Sequence, residues 1–234
     1  MIVDTHSHIL PGIDDGSRKV EQSLQILEEE AKQGIKYVVA TPHFYARYSD
    51  PDTFLAKRNA AAAALRQAMA HRADLPKVIL GAEVLYFPGI GESEHLAKLT
   101  IENTRFVLVE MPAPPWTETM YKELEKIYVL QGLTPIIAHV ERYIGPFRTR
   151  SVLRRLEKLP VLVQANAEFF LEPATARRAL RMLRAGYIHL LGSDCHNMAD
   201  RAPNLGEARQ IIGRKLGRAA LNEIRRLESV LTGE

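Results

Sequence analysis

The chain has 234 residues, of which 46% are hydrophobic and 25% are charged, a composition typical of a globular protein with a sizeable core. We therefore expect a single domain over residues 1–234. The sequence shows no solenoid-period repeat, no basic-then-apolar leader and no apolar run near the ~20 residues of a transmembrane helix, which argues against a repeat protein and against membrane insertion. The one cysteine, Cys195, cannot form an internal disulfide and favours a reducing, cytoplasmic location.

The net charge of +3 is unevenly distributed. Residues 1–141 carry 14 basic and 19 acidic side chains, whereas residues 142–234 carry 17 and 9. A basic second half would attract an anionic substrate, although the arginines of 177–184 recur at helical spacing, as solvated helix faces do. No aromatic residues are interleaved with the basic run, so nucleic-acid binding is disfavoured but left open.

Short β-rich runs alternate with amphipathic helical runs along the chain. Strands are predicted at 2–5, 36–41, 78–83, 106–110, 135–139, 161–166 and 188–193. Helices are predicted at 20–33, 52–72, 118–131, 149–158, 173–185, 204–216 and 218–231. Most strand runs are apolar throughout, which is typical of parallel strands buried on both faces. The alternation predicts an α/β fold of seven parallel βα units, closed into an irregular barrel, and no glycine-rich nucleotide motif supports an open doubly wound sheet.

Glycines mark several predicted helix ends. Gly34, Gly132 and Gly186 follow helical runs at the position where glycine commonly terminates a helix. The connection at 84–105 is less regular. The helix at 20–33 carries three successive glutamates, Glu28 to Glu30, which fit either a solvated face or a subunit contact, so an oligomer is left open.

Potential metal ligands follow the ends of the predicted strands. In chain order they are His6, His8, Asp14, Asp15, His43, Glu83, Glu110, His139, Asp194 and His196. In a β/α barrel the carboxyl ends of the strands converge on one face, where active sites lie. Five of the eight histidines fall at this rim, whereas His71, His95 and His189 do not and are predicted to be surface or structural residues.

The spacing and number of these residues favour a site with several metal ions. His6 and His8 are two residues apart, so an extended backbone points both imidazoles the same way, and Asp194 and His196 repeat this arrangement. Five imidazoles and at least four carboxylates exceed one tetrahedral zinc site. They predict two or three ions of manganese, iron or zinc, with Glu83 able to bridge two of them. Such ions activate water and stabilise both oxygens of an in-line displacement at phosphorus.

Two arginines accompany the potential ligands. Arg142 lies three residues after His139, and Arg201 lies five residues after His196. A guanidinium group matches the oxygens of a phosphate. Either arginine alone would fit an ordinary surface position, but together, beside the ligand set, they favour a phosphorylated substrate.

The motifs that carry these residues resemble a known family. Residues 6–16 (HSHILPGIDDG) resemble the polymerase and histidinol phosphatase (PHP) superfamily, and most closely its bacterial protein-tyrosine phosphatases of capsular and exopolysaccharide systems. Further matching segments run in order over nearly the whole chain: ATPH (40–43), GAE (81–83), LVEMP (108–112), IAHVER (137–142) and GSDCHN (192–197).

The resemblance implies a distorted (β/α)7 barrel, similar to a TIM barrel, with three divalent metal ions, commonly Mn²⁺, with iron or zinc as alternatives. It implies one ion at His6, His8, Glu83 and Asp194, a second at Glu83, Glu110 and His139, and a third at Asp15, His43 and His196. By the same resemblance, Arg142 and Arg201 hold the phosphate. The implied substrate is the phosphotyrosine tail of a bacterial tyrosine autokinase, with small aryl phosphates as substrates in vitro.

The sequence departs from the family pattern at three positions. Val140 replaces the usual proline. Tyr143 replaces the usual asparagine and predicts an altered pocket wall, and Cys195 replaces a small residue. Cys195 and Arg201 also have the Cys-x5-Arg spacing of cysteine-dependent tyrosine phosphatases. That chemistry requires a thiolate under a ring of backbone amides, and the neighbouring carboxylates would instead raise the pKa of the thiol.

Three alternatives to a metal-dependent tyrosine phosphatase follow. The first is the cysteine mechanism. The second is a PHP phosphoesterase whose substrate is histidinol phosphate, another small phosphomonoester or a nucleic-acid end. The third is a metal-free scaffold. The scaffold alternative expects eroded ligand positions, whereas every ligand position here is filled.

Overall fold

The computed structural model describes residues 1–145 and 149–232, and within them the chain forms a curled parallel sheet flanked by helices. The strands are β1 (Val3–Ser7), β2 (Tyr37–Ala40), β3 (His43–Phe44), β4 (Lys77–Leu80), β5 (Glu83–Leu85), β6 (Phe106–Glu110), β7 (Thr134–Ile137), β8 (Leu162–Asn166) and β9 (Leu190–Gly192). All the strand pairs are parallel, which confirms the predicted α/β class.

The strands form two hydrogen-bonded sheets, one in the order β1-β2-β4 and one in the order β3-β5-β6-β7-β8-β9. Backbone hydrogen bonds join them, since Gly81 N donates to Ala40 O at 2.8 Å and Glu83 N donates to Pro42 O at 3.0 Å. At the other edge, Ser7 forms a parallel bridge with Cys195, beyond the end of β9. The sheet therefore curls back until its first strand meets the segment after its last.

The predicted count of seven strands is not confirmed, because one further strand follows a predicted run and another predicted run is divided in two. The run at 36–41 corresponds to β2, and the chain then pairs again as β3 after Pro42. Proline has no N–H to donate to a ladder, which explains the interruption at this point. The run at 78–83 is divided between β4, which ends at Leu80, and β5, which begins at Glu83.

The helices cover the outside of the sheet. They are α1 (Val20–Lys32), α2 (Pro51–Ala68), α3 (Glu118–Gln131), α4 (Thr149–Leu156), α5 (Glu168–Leu171), α6 (Ala176–Arg184), α7 (Leu205–Leu216) and α8 (Arg218–Thr232). The side chain of Asp50 caps α2 by accepting from Thr53 N at 2.9 Å, ahead of a proline in the first turn. Gly34, Gly132 and Gly186 all have positive φ just after α1, α3 and α6, as expected. None of the described helices is both long and apolar enough to cross a bilayer.

Alternating strand residues supply two apolar clusters on opposite faces of the sheet. Val38, Val107 and Ile137 belong to the larger cluster, which packs under the helices. Val39, Leu108, Ile136 and Leu190 belong to the smaller cluster, on the inner face of the curl. Both faces of the strands are thus buried, which is why their sequences are apolar almost throughout.

The irregular connection at 84–105 contains two 3-10 helices, Ile90–Glu92 and Leu96–Leu99, which sequence analysis did not predict. One of the three glutamates of α1 differs from expectation, whereas Glu28 and Glu29 are partly exposed. Glu30 is fully buried rather than part of a solvated face or a subunit contact. By contrast, Arg177, Arg181 and Arg184 on α6 are exposed, which confirms that they belong to a solvated helix face.

Candidate metal centre

The structure brings all nine predicted metal ligands together at the carboxyl ends of the strands. His6, His8, Glu83, His139, Asp194 and His196 are buried. His43 and Glu110 are partly exposed, and the side chain of Asp15 is 64% exposed at the rim. Residues from both ends of the sequence therefore line one site, as the strand-end pattern predicts.

Four of the five imidazoles are held through Nδ1. His6 Nδ1 lies 3.3 Å from Gln164 Oε1, and His8 Nδ1 lies 2.8 Å from Asp14 Oδ2. His196 Nδ1 lies 3.0 Å from the backbone carbonyl of Asp194. These three partners only accept hydrogen bonds, so Nδ1 must carry the proton in each ring. His139 Nδ1 lies 3.2 Å from the hydroxyl of Tyr143.

The Nε2 atoms of the same rings converge on shared carboxylates. His6 Nε2 and His8 Nε2 are 3.2 Å apart, and each lies 3.2 Å from Glu83 Oε2. They lie 3.5 and 3.4 Å from Asp194 Oδ1. His139 Nε2 lies 2.8 Å from Glu83 Oε1 and 3.4 Å from Glu110 Oε1. A protonated Nδ1 leaves Nε2 free to bind a cation, which is the usual arrangement around metal-binding histidines.

The other ligand atoms form two adjoining groups. His8, Asp15, His43 and His196 offer atoms within 4.8 Å of one another, and so do His43, Glu83 and Glu110. His43 Nδ1 is buried without a hydrogen-bond partner among the described residues, although Glu83 Oε2 is 3.1 Å away. The family resemblance assigns His8 to the first ion and His43 to the third. In the structure, His8 also lies near the ligands of the third ion, and His43 near those of the second.

The two predicted phosphate-binding arginines both pair with Asp194. Arg142 Nη2 and Arg201 Nη2 lie 2.9 and 2.7 Å from Asp194 Oδ2, while Oδ1 of the same carboxylate faces the histidines. Arg201 Nη1 also lies 2.8 Å from His196 Nε2, so its charge occupies a position that a cation bound there would take. The arginine side chains are 46% and 37% exposed.

A cavity of about 460 Å³ opens beside the arginines. It is lined by Glu141, Arg142, Asn166, Glu168, Ser193, Asp194, Ala199, Asp200, Arg201, Ala202, Pro203, Asn204 and Glu207. The exposed parts of both guanidinium groups thus border a space that is large enough for a phosphate group.

The buried carboxylates of the site favour positive charge on the neighbouring imidazoles, as the pKa values of two histidines show. Burial alone would lower the pKa of His8, but hydrogen bonds with Asp14, Asp194 and Glu83 outweigh it and raise that pKa well above the usual value. Burial likewise opposes the rise in the pKa of His139 to about 9, which the hydrogen bonds with Glu110 and Glu83 produce. In the absence of metal, protons on these imidazoles therefore balance the buried carboxylates.

His196 differs from the other imidazoles. Burial and the positive charges of His8 and Arg201 lower the pKa of His196 to about 4. This ring is therefore neutral near pH 7 and keeps a lone pair on Nε2, which accepts a hydrogen bond from Arg201.

Strained or crowded backbone surrounds the site. Of three described non-glycine residues with positive φ, two are His139 at 33° and Asp194 at 55°. Such conformations cost about 1–3 kcal/mol each and tend to persist at functional sites. A Cβ on Gly16 would lie 2.2 Å from His8 O, and one on Gly192 would lie 2.6 Å from His6 Cβ, so glycine permits the close packing behind both histidines.

Sequence reasoning missed the polar pair that supports the site from β8. Gln164 Oε1 accepts from His139 N at 2.7 Å as well as from His6, and Gln164 Nε2 donates to Asn166 Oδ1 at 2.9 Å. Asn166 Nδ2 in turn donates to Asp194 Oδ2 at 2.9 Å. The signal was present, because these are the two polar residues in an otherwise apolar strand run.

The expectation for Tyr143 was wrong. It does not form a pocket wall, because it is 2% exposed behind His139, where its hydroxyl accepts a hydrogen bond from Met111 N at 2.9 Å. Two other tyrosines, Tyr45 and Tyr48, lie at the rim and were also overlooked. Burial raises the pKa of Tyr45 to about 12, and the charges of nearby carboxylates, Glu110 first, add to the rise.

Cys195 lies in a separate buried cluster. Its Sγ is 4.0 Å from Glu30 Oε1, and Asp4 and Ser193 complete the group. Burial, followed by the charges of Glu30 and Asp4, raises the pKa of the thiol well above its usual value. The expected rise in thiol pKa is confirmed, and a protonated, buried sulfur is a poor nucleophile.

The three histidines predicted to lie outside the site do so. His71 and His95 are exposed, and His189 Nδ1 accepts a hydrogen bond from Val163 N at 3.0 Å.

A parallel β/α fold with imidazole and carboxylate side chains clustered at the carboxyl ends of its strands is typical of metal-dependent β/α enzymes. More particularly, the chain belongs to the CpsB/CapC family of capsular polysaccharide synthesis, whose model matches residues 2–229. The family resemblance inferred from the motifs is therefore confirmed.

Relatives with assigned names match over almost the whole length of the chain. The chain is 27% identical over 233 residues to the tyrosine-protein phosphatase CpsB of Streptococcus agalactiae, covering 95% of this chain and 94% of that one. It is 29% identical over 227 residues to the tyrosine-protein phosphatase YwqE of Bacillus subtilis, covering 92% and 85%.

A solved structure has the same fold. It comes from crystal structures of YwqE from Bacillus subtilis and CpsB from Streptococcus pneumoniae, which are described as unique metal-dependent tyrosine phosphatases. The TM-score is 0.86 at 24% identity, over 100% of this chain and 95% of that chain.

Proposed function

We propose that this protein is a metal-dependent protein-tyrosine phosphatase that hydrolyses phosphotyrosine with metal-activated water. The observation that carries the proposal is the orientation of the imidazoles, because four Nδ1 atoms are engaged by neighbours while their Nε2 atoms face the central carboxylates or the rim. The names of the relatives supply the substrate class.

The residues present fit a set of divalent cations. His6, His8, Glu83 and Asp194 would hold one ion, Glu83, Glu110 and His139 a second, and Asp15, His43 and His196 a third. Mixed imidazole and carboxylate donors without thiolate suit Mn²⁺, with iron or zinc as alternatives. The raised pKa values of His8 and His139 support this fit, since protons supply there the positive charge that cations would supply. Bound ions would act as Lewis acids and activate water.

The two arginines would allow an anionic phosphate to bind at a site that is rich in carboxylates. Asp194 Oδ2 fixes both guanidinium groups on one side of the centre, and their remaining N–H donors border the cavity. Arg142 and Arg201 would hold the phosphate oxygens there and offset the repulsion from Glu83 and Glu110. Gln164 and Asn166 would keep the histidines and Asp194 in position.

The proposal extends to the biological partner. Membership of a capsular polysaccharide synthesis family supports a phosphotyrosine tail of a bacterial tyrosine kinase as the substrate, with small aryl phosphates as substrates in vitro. We further propose a cytoplasmic location, which the free thiol of Cys195 supports because reducing conditions there suit it.

The test compares hydrolysis of a phosphotyrosine peptide by chelator-stripped protein before and after addition of Mn²⁺. Wild type should regain activity with metal, and His6→Ala should not, because it removes an Nε2 shared by Glu83 and Asp194. His71→Ala, which changes an exposed histidine outside the site, is the matched control and should behave as wild type.

Two results would contradict the proposal. Turnover that is insensitive both to the chelator and to His6→Ala would refute a metal mechanism. A metal-dependent activity that prefers histidinol phosphate or nucleic-acid ends over the phosphotyrosine peptide would keep the metals but change the substrate.

A further inference from the structure

The loop after β3 carries two aromatic side chains from the metal centre outward. The Tyr45 ring stacks on His43, with centroids 5.2 Å apart and planes inclined by 20°. The Tyr48 ring meets Tyr45 almost edge-on, with centroids 6.3 Å apart and an angle of 83°. His43, Tyr45 and Tyr48 thus form a continuous row of rings from a predicted metal ligand to the surface.

The position of Tyr48 is not explained by packing. Its side chain is 78% exposed, the highest exposure among the large hydrophobic residues that the structure describes. A single exposed aromatic residue is ordinary, but this one is joined to the site by ring contacts. Its backbone N–H donates to Tyr45 O at 2.9 Å, and the guanidinium carbon of Arg47 lies 5.8 Å from its ring. These contacts hold the backbone of Tyr48 against Tyr45 and place a cationic side chain beside its ring.

We propose that Tyr45 and Tyr48 form an aromatic corner that binds the aryl ring of the phosphotyrosine substrate. This inference rests on the proposed function and deepens it, because it assigns the preference for aryl over alkyl phosphate esters to named side chains. One oxygen separates the ring of phosphotyrosine from its phosphorus. The charge of Glu110 acts on Tyr45, and Glu110 Oε1 lies 3.4 Å from Arg142 Nη1, so the corner and an arginine that would hold the phosphate flank the same carboxylate. A phosphate held by Arg142 would therefore leave the attached ring on the side of the site where the corner lies.

The geometry of the corner suits a third ring. Aromatic pairs prefer offset-stacked or edge-to-face contacts with centroids 4.5–7 Å apart, and two rings at 83° offer both a face and an edge. The energy of one such pair corresponds to roughly a 2- to 10-fold preference for a ligand with a ring. An alkyl ester of phosphate makes no such contact.

Binding of two non-hydrolysable ligands to the Mn²⁺-loaded protein tests the corner without relying on turnover. Calorimetry gives the ratio of Kd values for methylphosphonate and phenylphosphonate in wild type, Tyr48→Ala, Tyr48→Phe and Tyr128→Ala. We expect wild type to prefer phenylphosphonate, Tyr48→Ala to lose roughly 2- to 10-fold of that preference, and Tyr48→Phe to keep it. Tyr128, an exposed tyrosine on α3, is the matched control, and its replacement should leave the ratio unchanged.

Several results would overturn the proposal. A wild type that binds both phosphonates equally has no ring subsite. A ratio that Tyr48→Ala leaves unchanged, or a uniform weakening of both ligands, removes Tyr48 from ring recognition. If wild type prefers phenylphosphonate through Tyr48 but cleaves no phosphotyrosine peptide with any metal, the corner is supported and the proposed function fails. Metal-dependent cleavage of the peptide without a Tyr48-dependent ratio supports the proposed function and overturns the corner.

Discussion

Replacing Tyr143 by phenylalanine tests whether residues behind the metal centre control it. The ring that packs edge-on against Trp116, with centroids 4.9 Å apart, would remain, so the variant changes one hydroxyl. That oxygen accepts from Met111 N at 2.9 Å and lies 3.2 Å from His139 Nδ1. His139 Nδ1 carries a proton both in the charged ring and when Nε2 binds a metal, so the hydroxyl oxygen serves two buried donors.

The expected loss follows from those two donors. Each buried donor left without an acceptor costs about 1–3 kcal/mol, and partial relaxation should leave a total loss near 2–4 kcal/mol. Release of the His139 ring should also weaken binding of Mn²⁺ by about 10- to 100-fold, as for other groups that orient metal-binding histidines. Urea denaturation of metal-free protein measures the first effect, and metal titration measures the second.

Tyr128→Phe, at a tyrosine 48% exposed on α3, is the control and should change neither quantity. A Tyr143→Phe variant that loses less than about 0.5 kcal/mol and binds Mn²⁺ as wild type does would refute the argument. It would mean that His139 keeps its orientation through its carboxylate contacts alone.

Three further predictions concern buried charges and the thiol. Burial raises the pKa of Glu141 from 4.5 to about 7, so stability falls as pH rises through that interval. Glu141→Gln should therefore raise the free energy of unfolding, obtained from thermal unfolding, by up to about 3 kcal/mol above pH 8 and should leave it unchanged near pH 4. Equal increases at both pH values would contradict this. Arg209→Ala should lower the free energy of unfolding, measured by urea denaturation, by about 3–5 kcal/mol. The substitution leaves the buried carboxylate of Glu228 without its partner, because Glu228 Oε1 lies 2.6 Å from Arg209 Nη1. A loss below about 1 kcal/mol would show that the pair is dispensable. Cys195→Ser should keep its metal-dependent turnover, whereas abolished turnover with the metal site intact would point back to the thiol.

The sequence predicts the strand ends because an apolar run and a polar residue that follows it coincide there. An apolar run such as 106–110 marks a strand buried on both faces, and the polar residue that ends it, Glu110, has no reason to be there for packing. The same logic located His139 and Asp194. Parallel βα topology then places such residues on one face, so the candidate ligands could be gathered without knowing the strand order.

Features that depend on contacts between distant segments were not readable. Glu30 fits a helical pattern equally well on either side of α1, and its burial results from packing against Asp4 and Cys195. Tyr143 occupies a position usually held by asparagine, and the sequence does not reveal whether such a side chain faces the cavity or the core. The break between β2 and β3 was visible in principle, since Pro42 cannot donate to a sheet ladder.

The bond between Asp4 and Ser193, which are 189 residues apart, has a consequence for how the protein is made. During synthesis, His6 and His8 leave the ribosome long before Glu83, His139 and Asp194 are joined to the chain. The proposed ligand set is therefore complete only after the last strand has been added, and long-range closure of this kind is slow compared with local folding. A metal ion bound by both His6 and Asp194, as proposed, would also hold the two ends of the sheet together, so chelation should lower the stability of the whole molecule as well as its activity.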